Sequence, residues 1–404
     1  MEIRPILSAL ARSKVALVLI GLQIALTLAI VCNALFIINE RLTLMQRPSG
    51  MNEADTFMIG SNGFGAGFDL RSSMSDDLAA LRALPGVIDA SPILTAPLTN
   101  GGWSEGISLQ ADQKQSTAPT AMYFVDEHGL NTYGAKLIAG RDFRADEITE
   151  RDRSSQGWPP GVIITKALAE RLFPGQDAIG KSFFLDTHQP ASTVIGIVDK
   201  LQAPWVHNEK VLEFSTLIPQ RWVSGTFVRY LIRAQPGQRD AVMKAVEAKL
   251  GAINPSRIVR GLRAMTKIRA EGYAEDRAMA LILVIVIAAL LTITALGIVG
   301  MASFWVTQRT KQIGTRRALG ATRGMILRYF LTENFLITTL GLAAGALLAY
   351  GFNVWLIKNY EAAPLPWFYV AAGCIGLWLL GQLAVLGPAR RAARVPPATA
   401  TRSI

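Results

Sequence analysis

The sequence predicts an α-helical membrane domain of four transmembrane helices with a large α+β extracytoplasmic domain inserted between helices 1 and 2. Three observations predict it. Four uncharged apolar runs occur at Val15–Ile38, Ala278–Val306, Phe335–Ile357 and Leu365–Gly387. They are split one plus three by the 239 polar-patterned residues 39–277. The excess positive charge lies beside the runs. At 1.5 Å rise per residue each run spans a hydrocarbon core of roughly 30 Å, and only helices satisfy their own backbone in lipid.

Charge sets the expected orientation. The chain of 404 residues has a net charge of +11. Residues 1–14 carry +2, residues 307–328 carry +6 with no acid, and the tail 388–404 carries +4, while 39–277 is balanced with 27 basic and 27 acidic residues. Basic flanks mark the cytoplasmic side. All three basic segments then fall in the cytoplasm with both termini, and 39–277 lies outside. The membrane flanks account for the charge, so nucleic acid is not expected as a partner.

Taken in order, residues 1–14 read as a basic amphipathic helix at the cytoplasmic interface, with Ile3, Ile6, Leu7 and Leu10 on one face, or as a simple topogenic anchor. The first span is 15–38. Its length exceeds the h-region of a signal peptide, roughly 7–15 residues, and Cys32 follows Ile30-Val31 without the small residue of a lipoprotein site. A retained anchor is expected. Cys374 is also intramembrane, so the outer domain folds without disulfides.

Residues 39–277 are read as a periplasmic core domain with stalks and two subdomains, 48–99 plus 211–261 and 100–210. Strand 56–61, helix 74–84 and strand 87–95 form one unit; strand 227–233, helix 236–250 and strand 256–261 form another. Two such units pair into a split sheet covered by two helices. Residues 262–277 read as a stalk helix continuous with the second span (278–306). The elbow 307–328 follows, with a short helix over 309–318 stopped by Gly320 and a new start at Thr322. The third span is 329–357, with Glu333 interfacial at its entrance, and the fourth is 365–387. The tail 388–404 returns to the cytoplasm.

Gly175-Gln-Asp-Ala-Ile-Gly180-Lys181-Ser182 fits the phosphate-loop pattern G-x-x-x-x-G-K-[ST]. That chemistry needs a strand before and a helix after the glycines, so that the helix N-terminus faces phosphate. Here a helix (166–173) comes before and an extended run after, so the match reads as a helix-to-strand turn. The three histidines, His128, His188 and His207, show no short ligand spacing, so no metal is expected. Asp76-Asp77 and Asp126-Glu127 read as solvated faces. No cofactor-binding or catalytic residue is expected in this chain. Gly341-x-x-x-Gly345 and Gly373-x-x-Gly376 offer close helix packing.

In the elbow, arginines offer fixed donors to carboxylates, while Ile313, Ala318 and Leu319 offer an apolar face to a partner groove. Ile313-Gly-Thr-Arg-Arg-Ala-Leu-Gly-Ala321 resembles the coupling segment of the MacB/FtsX-type permease family of ABC transporters. Gly387-Pro-Ala-Arg-Arg-Ala-Ala-Arg-Val-Pro396 is similar to its C-terminal signature. Leu137–Phe143, Gly161–Lys181 and Thr193–Asp199 resemble its periplasmic core domain. Gln312 departs from the family, where an acid commonly precedes Ile-Gly.

The resemblance implies a permease of the bacterial inner membrane that binds no ATP itself. Cytoplasmic ABC ATPase subunits, separate chains binding ATP-Mg, would dock at Arg309, Lys311, Ile313, Gly314, Arg316, Arg317, Ala318, Leu319 and Gly320. A second permease copy or a homologous permease would complete a dimer, with a periplasmic adaptor and an outer-membrane channel as further partners. ATPase closure would move an extracytoplasmic cargo of the peptide, antibiotic or lipoprotein class. The alternative is a regulator that activates a cell-wall hydrolase or senses a peptide. No charge lies inside the four apolar runs, so the sequence shows no polar route through the bilayer.

Overall fold

A computed structural model of the protein describes residues 14–65, 67–360 and 363–396. The expected interfacial helix lies outside the described residues except for Lys14, as does the tail from 397 onward. The chain divides into two units, Gln46–Glu275 and the remainder. Four helices are long and apolar enough to cross a membrane.

The first, α1, runs from Lys14 to Gln46. After it, β1 (Thr56–Gly63), α2 (Leu70–Arg82) and β2 (Val87–Ile93) form the first strand–helix–strand unit. The second unit is β12 (Phe227–Ala234), α5 (Arg239–Ile253) and β13 (Arg257–Ala264). They pair antiparallel into one sheet of order β13-β1-β12-β2. Strand alternation sends Phe57, Ile59, Tyr230 and Ile232 to one face, where Leu78, Leu81, Val242 and Val246 of the two helices cover them. Asp69 starts α2 by accepting a hydrogen bond from the Arg71 amide at 3.0 Å.

Between these units lie β3 (Trp103–Ile107), β4 (Ala118–Phe124), α3 (Gly129–Tyr133), β5 (Leu137–Gly140), β6 (Thr149–Arg151), β7 (Gly161–Thr165), α4 (Lys166–Leu172), β8 (Ser182–Phe183), β9 (Ser192–Val198), β10 (Ser215–Ile218) and β11 (Gln220–Trp222). A second sheet has the order β3-β4-β10-β7-β9-β5, with β8 on β9, and β6 pairs with β11. Its core gathers Met122, Phe124, Val162, Ile164, Leu168, Phe183 and Val194.

Three sequence expectations are corrected here. The expected 211–261 segment does not belong whole to the first sheet. Strand β10 hydrogen-bonds between β4 and β7, and β11 beside β6, so residues 215–222 belong with the insertion. The expected stalk helix over 262–277 is interrupted: α6 spans Met265–Gly272 and α7 spans Ala274–Gln308. Tyr273 between them leaves helical geometry (φ −106, ψ 19) because its ring is buried, with its hydroxyl accepting from Gln202 Nε2 at 3.2 Å. Burial of one large ring outweighs the continuation of the helix.

The third correction concerns the acidic pairs read as solvated. Asp77 is fully buried, paired with Arg257 and accepting from the Tyr230 hydroxyl at 2.7 Å. Asp126 is buried too, accepting from Arg82 Nη2 and Ser91 Oγ at 2.7 Å each. Burial pushes its pKa above the usual aspartate value, opposed by Ser91 and Arg82. A lone pair of adjacent acids carries no periodic signal, so tertiary pairing decided both cases.

After α7 come α8 (Thr310–Ala318), α9 (Arg323–Tyr360) and α10 (Trp367–Ala393). Helix α1 packs deepest among the long helices. Ile24, Leu28 and Cys32 meet Ile298 of α7, Ile337 and Ala349 of α9, and Val370 and Leu377 of α10. Gly341 and Gly345 face α1: a Cβ on Gly345 would meet Ala25 Cα at 2.9 Å, and one on Gly341 would meet the Gly21 carbonyl at 3.0 Å. The small-residue pattern thus serves packing inside the chain.

Candidate functional site: the elbow between the second and third long helices

The elbow is built by one terminator and one start. Helix α8 ends in a complete Schellman turn. Gly320 adopts φ +94, its amide donates to the Arg317 carbonyl at 3.2 Å, and the Ala321 amide donates to the Arg316 carbonyl at 3.0 Å. Thr322 then starts α9 by accepting from the Met325 amide at 3.2 Å. Two turns in three residues make a defined corner.

The nine expected coupling residues separate into two sets. The inward set is Arg309, Ile313, Gly314 and Arg317. Arg309 Nη1 donates to both carboxylate oxygens of Glu333 on α9, at 2.9 and 3.0 Å, and its guanidinium lies 5.7 Å from the centre of the Trp305 ring. Arg317 Nη1 donates to the carbonyls of Ala393 and Val395, at 2.8 and 3.2 Å. A cation at a helix C-terminus meets its orphan carbonyls and the negative end of its dipole. Ile313 is buried among Ile326 and Phe330 of α9 and Ala389, Ala392 and Ala393 of α10. Alanines at those three positions leave the room that Ile313 fills. Ile313 is therefore already packed inside the chain and does not form part of an open apolar face.

The outward set is Lys311, Arg316, Ala318, Leu319 and Gly320, all exposed. Leu319 is 83% exposed and Met325 beyond the corner is 60% exposed. Arg316 rests 5.1 Å from the centre of the Tyr329 ring. Leu319 and Met325 are thus large apolar side chains exposed beside the cations Lys311 and Arg316.

Reading the sequence missed the role of Glu333. At the entrance to the third span it is 1% exposed and pairs with Arg309, anchoring the elbow. One signal was available: Glu333 is the only acidic residue between 278 and 357, following six cations. A lone acid beside so many arginines has a partner to find.

The glycines of the phosphate-loop match lie between α4 and β8, so no helix N-terminus follows them. The Gly180 amide donates to the Val194 carbonyl at 2.9 Å and the Lys181 amide to the Ala178 carbonyl at 3.1 Å. These two amides of the loop are committed to the fold. Among the described residues no group of three or more His, Cys, Asp or Glu side chains is placed to hold a metal.

Four membrane-length helices with an α+β unit inserted after the first, and a clamped basic elbow after the second, define a permease-type chain. Two family profiles match it: MacB-like periplasmic core domain over residues 15–249, and FtsX-like permease C-terminal over residues 284–397. The chain belongs to the FtsX-like permeases that carry a MacB-like periplasmic core domain.

The chain is 28% identical over 275 residues to the macrolide export ATP-binding/permease protein MacB of Chromobacterium violaceum, covering 65% of this chain and 40% of that protein. It is 24% identical over 302 residues to the uncharacterized ABC transporter permease YknZ of Bacillus subtilis, covering 73% of each. The alignment thus spans well under two thirds of that MacB protein. The crystal structure of the periplasmic region of MacB from Actinobacillus actinomycetemcomitans aligns at 15% identity and TM-score 0.35, over 57% of this chain and 97% of that one.

Proposed function

We propose that this chain is the permease subunit of an ATP-driven export complex of the bacterial inner membrane, with both termini in the cytoplasm and residues 46–275 in the periplasm. Separate ATPase chains bind ATP-Mg and dock on the outward set of the elbow. A second copy, or a homologous permease, completes the dimer. Closure of the ATPases then moves an extracytoplasmic cargo of the peptide, antibiotic or lipoprotein class, and a periplasmic adaptor and outer-membrane channel receive it.

One observation carries this reading: the elbow is rigidly held yet open for docking. Arg309 ties the α7–α8 corner to α9 through Glu333, and Arg317 ties α8 to the end of α10. Leu319 meanwhile stands 83% exposed. A force applied at Leu319 and Arg316 reaches three long helices together, without a flexible joint to absorb it. At the other end of this unit, Arg41 of α1 pairs with Asp276 of α7 at 2.9 Å, so the first two long helices are tied beyond their apolar stretches.

The test is co-purification of the full chain with its ATPase, followed by ATP hydrolysis in nanodiscs. Leu319→Glu is expected to lower ATPase retention at least tenfold while membrane insertion is unchanged. Retention and turnover equal to the native chain would reduce the elbow to a topogenic loop. Stimulation by a cell-wall hydrolase, in place of stimulation by cargo, would convert the reading to that of a regulator.

A further inference from the structure

We propose that the helix-free face of the four-stranded sheet carries a binding site for a small amphipathic anion, a carboxylate on an apolar skeleton. The site is a cavity of about 330 Å³ lined by Met58, Leu94, Thr99, Trp103, Arg229 and Arg263, with Gly101 and Gly102 at its rim. That size falls at the lower end of small-molecule pockets, roughly 300–1,000 Å³, and suits one compact ligand better than a peptide strand.

Register explains why the cations converge there. On the face opposite the helices, Arg263 of β13 pairs with Met58 of β1, while Arg229 of β12 and Arg260 of β13 flank Gly60. The Phe227 ring lies over Gly60, where a Cβ would meet it at 2.9 Å. Arg229 and Arg260 sit 5.4 and 5.9 Å from that ring centre. Three arginines therefore share one strip of sheet.

Their charge is poorly matched. Arg229 donates only to a neutral group, the Leu94 carbonyl at 2.8 Å, and neither it nor Arg260 has a carboxylate partner among the described residues. Arg263 has one, a half-exposed Glu271 at 3.2 Å. Glu105, two residues along β3 from Trp103, accepts from Trp103 Nε1 at 2.6 Å. Burial first, and the neighbouring Arg263 second, lower the pKa of Arg229. A carboxylate seated between Arg229 and Arg263 removes that repulsion, and Met58, Leu94 and Trp103 supply the apolar wall.

An independent observation marks the same wall. Leu98 (φ +70) and Asn100 (φ +55) are the two non-glycine residues at positive φ among those described. For leucine this costs of order 1–2 kcal/mol, and such outliers cluster at ligand clamps. They bracket Thr99, and the turn is pinned by the Asn100 amide donating to the Pro204 carbonyl at 3.0 Å and by Tyr133 Oη donating to the Thr95 carbonyl at 2.7 Å. The fold holds this segment in an unfavourable backbone to shape the cavity rim.

The site is tested by binding alone, independently of any transport activity. The full chain in nanodiscs is titrated with 2-naphthoate, its neutral isostere 2-naphthamide and inorganic phosphate, with empty nanodiscs subtracted. Saturable binding of one naphthoate per chain is expected, with naphthamide and phosphate each at least about tenfold weaker. Arg229→Gln and Arg263→Gln should each weaken naphthoate about tenfold or more, whereas Arg71→Gln should not. Arg263 is half-exposed, so its variant keeps the test valid if Arg229→Gln does not fold. Equal affinity for naphthoate and naphthamide, phosphate binding as tight as naphthoate, unsaturable uptake, or unchanged affinity in Arg263→Gln would each overturn the site.

Discussion

Arg309 at the foot of α7 and Glu333 on α9 form an ion pair in which one guanidinium nitrogen contacts both carboxylate oxygens, the side chain of the acid being 2% exposed and that of the base 17%. The pair closes the elbow across 24 residues of sequence, with Arg309 also donating to the Tyr329 hydroxyl at 3.4 Å. Pairs so placed are costly to break, because the survivor keeps its charge without a partner.

Glu333→Gln is therefore expected to lower stability by about 3 kcal/mol, seen as a fall in the melting temperature of the detergent-solubilised chain. Arg309→Met combined with Glu333→Leu should cost less than the single change, since two apolar residues leave no orphan charge. A double variant as damaged as the sum of the singles would show that the two residues act separately.

The legibility of this chain divides by the range of the interactions involved. The long helices were readable because lipid demands uninterrupted apolar length: α1, α7 and α9 contain the first three runs, and α10 takes up the fourth from Trp367 onward. Gly320 and Thr322 announced the corner because cap chemistry is local. The first sheet was readable because each strand–helix–strand unit is contiguous in sequence. What stayed hidden was non-local pairing. Nothing near Asp77 points to Arg257, 180 residues away, and nothing near β10 indicates that it parts from β12 to join β4. The arginines of the sheet face were hidden for the same reason, since Arg229 and Arg263 meet only through register with β1.

The pair Asp77–Arg257 gives a second prediction. Both side chains are fully buried, and Tyr230 supplies a further hydrogen bond to the same carboxylate oxygen. The Arg257 Nε and Nη2 atoms have no hydrogen-bond partner among the described residues. Asp77→Ala should destabilise the unit formed by residues 46–275 by about 3–5 kcal/mol, measured as a lowered urea midpoint for its proteolytic protection in the full chain. Asp77→Asn, which keeps an acceptor for Tyr230, should fall between the two. An Asp77→Ala chain with native protection would mean that Arg257 finds another acceptor.

Packing of α9 on α1 supplies a third. Because the Cβ of residue 345 would press on backbone atoms of Ala25, Gly345→Val must push the helices apart, at a cost of about 1–3 kcal/mol. Gly351 on the same helix has nothing within 4 Å of its Cβ position, so Gly351→Val is the matched control and should leave the melting temperature unchanged apart from helix propensity. Equal effects at the two positions would dismiss close approach as the reason for Gly345.

Finally, Glu147 offers a pH test with a defined sign. Hydrogen bonds from Arg141 hold its pKa down at about 2, with the Arg144 amide adding a further donor at 2.9 Å. An acid whose folded pKa lies below the ordinary value, about 4.3, stabilises the fold above that value and loses the contribution as pH falls through the folded pKa. The Arg141 side chain is 45% exposed, so solvent screening keeps the effect below about 1 kcal/mol. Glu147→Gln should thus be slightly less stable than the native chain at neutral pH, and the gap should close as the pH is lowered from about 4 to about 2. A gap that widened on acidification would reverse the sign and remove Arg141 as its cause.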